Sequence, residues 1–157
     1  MNTAGVTPKS IAQKWQFGVE IDGFNAAYFT KIGLPEVEFE EVTFAPAGSM
    51  FNQKAAGRAS FSDIDAEKGV PQDVSDFSLL NWVKKCIDVF TATGGVPADY
   101  MKDIDIVRYD RTGKEIQRYR LYGAWVKRAK FGELEGGSSD NDIESMTISY
   151  QYFNRIR

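Results

Sequence analysis

Alternation constrains this chain more than any other feature. Trp15, Phe17, Val19 and Ile21 are interleaved with Gln16, Gly18, Glu20 and Asp22, a period of two that puts one row of side chains in a core and the other in water. Ile104 and Ile106 stand between Asp103, Asp105 and Val107. Met146, Ile148, Tyr150 and Tyr152 alternate with Ser145, Thr147, Ser149 and Gln151. Asp22-Gly23 and the run from Asp110 to Gly113 carry hairpin turn chemistry, which joins antiparallel neighbours. A further strand is expected over 24–32, and 116–130 reads as one long strand or as two bent at Gly123-Ala124.

Residues 36–44 place Glu36, Glu38 and Glu40 on one face with Val37 and Phe39 opposite, after which Val42 and Phe44 take up the other phase. A bulge at Glu40-Glu41 accounts for the change. The acidic stripe is a wet outer face or the lining of a polar channel. Residues 45–58 show no period and read as a long loop with Met50 and Phe51 in its middle. Loops of that length in compact domains usually carry function.

One helix is expected, over 76–92. Ser75 is its N-cap with Asp76 at the positive end. Its apolar stripe runs through Phe77, Leu80, Val83, Ile87 and Phe90, widened by Leu79, Trp82, Cys86 and Val89, and Gly94-Gly95 stop it. Cys86 reads as a core thiol. The fold class is therefore mainly β: an antiparallel two-sheet sandwich or barrel with one flanking α-helix and a long protruding loop. Residues 1–14 read as an N-terminal arm and 15–157 as a single domain.

The composition removes several chemistries. The chain has no His and a single Cys, so imidazole bases, His-ligated metals and thiolate clusters are out of reach. Asp140, Asn141, Asp142 and Glu144 lack EF-hand spacing. Asp63, Asp65 and Glu67 alternate on one strand face without a marked partner. No catalytic residue, metal or cofactor is expected. No run approaches the ~18 apolar residues of a membrane-spanning helix, and no membrane partner is expected.

Charge is banded. Residues 1–97 are net −4, 98–131 net +4 and 132–157 net −3. The basic band is either a solvated strand pair or half of a self-complementary surface, which favours head-to-tail association.

The order of these segments resembles the tail tube proteins of contractile-tailed bacteriophages and, more distantly, the tubes of phage-like injection systems and type VI secretion. The pieces are FGVEIDG at 17–23, IGL at 32–34, EVEFEEVTF at 36–44, the loop at 45–58 with Lys54 and Gly57, EKGV at 67–70 and LLNWV at 79–83. YDRTGKE at 109–115, RLYGAWVKRAKFGELEG at 120–136 and IESMTISYQYFNRI at 143–156 complete the order. The resemblance implies hexameric rings stacked into a hollow tube, strands of neighbouring subunits joined into one inner sheet, a contractile sheath outside and DNA passing inside. The implied partners are other copies of the chain, the sheath, baseplate, tail-terminator and tape-measure proteins, and transiting DNA held without specific binding. The implied place is the virion, after assembly in the host cytoplasm. Gly48, Met50, Phe51, Asn52, Lys54 and Arg58 become candidates for contact with the next subunit or ring, and Glu36, Glu38, Glu40, Asp63 and Asp65 candidates for the lumen wall. Two rivals remain: a tube initiator, terminator or injection-system tube of the same fold, and a small-ligand-binding β-barrel, which needs an apolar cavity.

Overall fold

The computed structural model describes residues 11–72, 74–88 and 91–157. Arm residues 1–10, Asp73, and Val89 and Phe90 of the expected helix stripe lie outside them. The alternating segments form the strands they predict. β1 (Phe17–Ile21) is followed by a short 3₁₀ turn (Ala26–Tyr28) and by β2 (Phe29–Ile32), β3 (Glu36–Phe44), β4 (Gln53–Ser62) and β5 (Ile64–Gly69). Helix α1 (Ser78–Cys86), a two-residue pair β6 (Ile87–Asp88) and β7 (Thr93–Gly94), and the single turn α2 (Pro97–Tyr100) come next. The chain ends with β8 (Lys102–Tyr109), β9 (Glu115–Lys130), β10 (Ile143–Ser149) and β11 (Tyr152–Arg155).

All pairings are antiparallel, and the main sheet runs β1-β8-β9-β10-β5-β2, with β11 also on β9. The sixteen-residue β9 belongs to both layers of the sandwich: residues 115–124 pair with β8 and residues 125–130 with β10. Gly123, at φ +61, sits where one partner gives way to the other. It marks the bend without ending the strand. The core lies between the layers and takes Val19 and Ile21 from β1, Ile104 and Ile106 from β8, Leu121 and Val126 from β9, Met146 and Ile148 from β10, and Ile64 and Ala66 from β5. α1 closes this core with Leu79 and Trp82. The Trp82 indole meets Phe24 edge-on at 5.7 Å and donates its Nε1–H to the Tyr100 carbonyl at 2.7 Å.

Several expectations need correction. The first strand starts at Phe17, and Trp15 is exposed. The segment 24–32 spends its first half in a turn, where Asn25 accepts the Ala27 N–H, and only 29–32 is strand. The last strand breaks between β10 and β11, because Gln151 pairs with the Tyr122 carbonyl. The helix is shorter than 76–92. It begins at Ser78, and Asp76, rather than Ser75, takes the Ser78 N–H and hydroxyl. It ends at Cys86 because the chain folds back as β6–β7. The Gly95 N–H then donates to the Cys86 carbonyl at 3.1 Å, and a Cβ on Gly95 would collide with the Lys85 carbonyl oxygen. Ile87 and Phe77 are consequently exposed, while Cys86 is half-buried against the core and burial pushes its thiol pKa up.

The expected loop over 45–58 is also shorter. Residues 53–58 belong to β4, and β3 and β4 form their own two-stranded ribbon outside the main sheet. Ala55, Ala56 and Gly57 hid this strand, since small residues carry little β-propensity or period.

Candidate functional site

The β3–β4 ribbon is the feature the sandwich does not account for. A lone hairpin is marginally stable in water, yet this one runs the length of two long strands. Its base rests on its own domain: Phe61 packs on Tyr150 and Phe153 at 6.0 and 5.7 Å, and the Tyr150 hydroxyl reaches the Glu36 carbonyl at 3.5 Å. Val37 pairs with Phe61 and Phe39 with Ala59 on that same face.

The register then shifts. Phe39 pairs with Ala59 but Glu41 with Ala56, so two residues of β4, Gly57 and Arg58, oppose Glu40 alone. A bulge stands on the expected rung, but β4 supplies the extra residue. β3 therefore keeps its phase, and Val42 and Phe44 share the face of Glu36, Glu38 and Glu40, opposite to Val37 and Phe39. The base meets the domain through Phe61, while Phe39 on the same face is still 57% exposed and Val42 and Phe44 lie exposed on the opposite face.

Gly48, at φ +79, turns the chain at the tip, where Ser49 donates its N–H to Pro46. Met50 is wholly exposed and Phe51 74% exposed, with Asn52 beside them. Lys54 sits one turn of the ribbon back and pairs with Glu41 at 3.4 Å. Arg58 is exposed at the bulge. The structure thus gathers Gly48, Met50, Phe51 and Asn52 at one tip and spreads Lys54 and Arg58 along β4. Sequence reasoning missed Val42 and Phe44 as members of this patch. Their alternation looks like that of a core strand, but among the described residues no layer covers their face, and they are 54% and 63% exposed.

Part of the basic band is paired inside the chain, through Arg118, Arg120, Lys127 and Lys130. On the outer face of the β1-β8-β9 layer, Asp105 is only 8% exposed and holds Arg118 at 2.6 Å and Arg120 at 2.8 Å. Arg118 also grips Glu115 and Glu20, each at 2.7 Å. Hydrogen bonding from Arg120, then from Arg118, holds the Asp105 carboxyl below its usual range against the opposing effect of burial. On the other layer Asp63 meets Lys127 at 2.8 Å and Asp65 accepts the Thr147 hydroxyl at 2.9 Å. Asp63 and Asp65 are therefore already partnered, whereas Glu36, Glu38 and Glu40 stand exposed on the ribbon.

A family model for the T4-like virus tail tube protein gp19 matches residues 13–154. The chain belongs to that tail tube family. No curated protein sequence matches it. The sheath/tube terminator of an extracellular contractile injection system, PVC, in its extended state superposes with a TM-score of 0.77 at 14% identity, over 96% of this chain and 100% of that one. The tube-terminating cap of the anti-feeding prophage gives 0.77 at 15% identity, over 96% and 94%. Hcp1 of Flavobacterium johnsoniae gives 0.57 at 12% identity, over 90% and 94%. At these identities the likeness is one of fold. For a member of a tail tube family the role is structural, and the surfaces that matter are those left uncovered, the ribbon tip first among them.

Proposed function

We propose that the chain, acting through residues 15–157 as one unit, forms hexameric rings that stack into a tube inside a contractile sheath and conduct DNA during ejection. The observation that carries this reading is the β3–β4 ribbon. Its far half presents Val42 and Phe44, on the face opposite to Val37 and Phe39, and its turn presents Met50 and Phe51, all four more than half exposed, and such a patch marks a contact with another molecule. A second copy is the occupant, with Gly48, Asn52, Lys54 and Arg58 around the apolar anchors. Among the described residues β1 and β2 are each paired on one side only, and their other edges serve to continue the sheet into a neighbour, which removes an aggregation hazard. A heterologous contact of this kind closes a ring or runs on as a filament.

Glu36, Glu38 and Glu40 are proposed as the carboxylates that line the bore. A negative wall lets phosphate slide, whereas lysines hold it by releasing counterions. Asp63 and Asp65 are weaker contributors, since Lys127 offsets the first. The sheath lies outside, the tape-measure protein inside before ejection, and baseplate and terminator proteins at the two ends. The whole belongs to a virion assembled in the host cytoplasm. A second reading, a terminator or injection-system tube of the same fold, is favoured by the two superpositions at 0.77, on a sheath/tube terminator and a tube-terminating cap.

Negative-stain microscopy with sedimentation of purified protein tests the proposal. Rings or tubes are expected, and Met50→Asp with Phe51→Asp should weaken stacking with an unchanged circular dichroism spectrum. A monodisperse monomer at every concentration overturns the assembly reading. Normal polymerisation of the double variant removes the ribbon tip from it.

A further inference from the structure

The chain carries two clefts of opposite charge, the basic one along helix α1. One, of about 420 Å³, opens between α1 and the Asp22-Gly23 turn, and Lys84, Lys85 and Lys102 enter it against the single carboxylate of Asp22. The other, of about 860 Å³, lies under the loop between β9 and β10, where Glu67, Glu133, Glu135, Asp140 and Asp142 surround Lys130. The root of that loop, Phe131 and Glu144, abuts Asp76 and Phe77 at the start of α1.

Lys102 shows that the basic cleft is short of negative charge. Its ammonium reaches only a backbone oxygen, that of Asp22, at 2.7 Å, and lies over the Trp82 and Phe24 rings at 5.3 and 5.8 Å. Burial, and then the nearby charge of Lys85, lower its pKa. Among the described residues, the ion pairs engage none of the three lysines. This separates them from Arg118, Arg120 and Lys127, whose charges are met within the chain. In the acidic loop, only Glu133 has a cation, Lys130. Glu135 and Asp140 are exposed, and Leu134 between the two glutamates is 92% exposed.

We infer that the lysine cleft of one copy receives the acidic β9–β10 loop of the next, Lys84, Lys85 and Lys102 meeting Glu135 and Asp140. The inference rests on the tube reading for its second copy and adds to it a polar contact distinct from the ribbon tip. The contact is head-to-tail, because the lysine cleft and the acidic loop are different surfaces of one chain and each copy offers both. It therefore gives the assembly a direction and rejects inverted neighbours, which would set lysine against lysine. The helix dipole alone would favour lysines in the last turn. It does not account for Lys102, which comes from β8, or for the carboxylates of a loop outside the helix.

Charge reversal with complementation tests it. Lys84→Glu with Lys85→Glu makes one variant, and Glu135→Lys with Asp140→Lys a second. All four side chains are exposed, and circular dichroism should remain that of the unaltered chain. Self-association is read by sedimentation and negative stain at low and high salt. Each variant alone should associate at least ~10-fold more weakly at low salt, since like charges then face each other. An equimolar mixture should recover association, because the reversed ends are again complementary. Association of either variant equal to that of the unaltered chain, or no recovery in the mixture, overturns the contact and leaves the tube reading standing. An unaltered chain that stays monomeric at all salt and protein concentrations overturns both.

Discussion

Lys68 Nζ lies 2.8 Å from an Asp76 carboxylate oxygen, and the lysine is 1% exposed. It points to the core side of β5, in the row of Ile64 and Ala66, and its cross-strand partner Glu144 of β10 adds a second carboxylate at 3.4 Å. This cation ties two strands to the start of α1, whose first N–H is capped by the same Asp76. Lys68→Ala should cost about 3–5 kcal/mol, the range for removing one member of a buried ion pair, visible as a lower urea midpoint. Asp76→Asn should cost less, since Glu144 remains. A midpoint unchanged by Lys68→Ala would show that the tie contributes nothing.

Asp76 and Asp105 share a direction. The bond from Lys68 lowers the first, and the bonds from Arg120 and Arg118 lower the second. A carboxyl whose folded pKa lies below its unfolded one stabilises the fold at every pH above the unfolded value, about 3.9 for Asp. That contribution is lost as pH falls below it and through the folded value. Stability should therefore be flat with respect to these groups from pH 7 to about 5 and decline steeply toward pH 2. Asp105→Asn should lower the plateau by about 2–3 kcal/mol and make the acid decline shallower. Urea midpoints across that range, compared between the two chains, decide the matter. Parallel declines would exclude Asp105 as a source.

At the ribbon bulge, a Cβ on Gly57 would stand 3.0 Å from the Glu40 carbonyl oxygen and 3.0 Å from Val42 Cγ2. The close approach needs glycine, and it is what lets β4 spend two residues against one. Gly57→Val should distort the ribbon and shift Val42 and Phe44 from their face while leaving the sandwich intact, since the ribbon is outside the main sheet. The expected result is a near-native melting temperature with impaired polymerisation. Loss of the folded body would mean that the ribbon supports the core.

The legible parts of this fold were those whose side chains obey one period. β1, β9 and β10 follow from Phe17–Ile21, Glu115–Lys130 and Ile143–Ser149, because their apolar rows are buried and a register slip would move them to water, while β8 (Lys102–Tyr109) also buries Asp105 and Val107 on its other face. The helix was legible in kind but not in length: Ile87 fits the helical stripe, and only the tertiary approach of Gly95 to Lys85 turns it into a strand. The rung of the ribbon bulge was visible in the phase change after Glu40. Which strand carries the extra residue was not, since that depends on the partner register. The carboxylates of 63–67 and the basic residues of 118–130 looked like open surface in sequence. Pairing across strands separated by many residues, as between Asp63 and Lys127, is set by topology and leaves no local mark.

Glu36, Glu38 and Glu40 give the most direct reading of what the tube carries. They occupy alternate positions of β3, their shared face also holds Ser60 and Ser62 across the ladder, and no cation of the described residues pairs with them. If they face the bore, a phosphate backbone meets a wall that neither binds nor stops it. Replacing all three with Lys would turn the wall into a counterion-releasing surface whose hold on DNA falls steeply with salt. Such particles should assemble, since the apolar tip is untouched, but eject DNA more slowly, with partial recovery as ionic strength rises. Ejection timed by dye release from assembled particles reads this directly. Wild-type rates at low salt would place the three glutamates away from the bore and assign their face to a neighbouring protein.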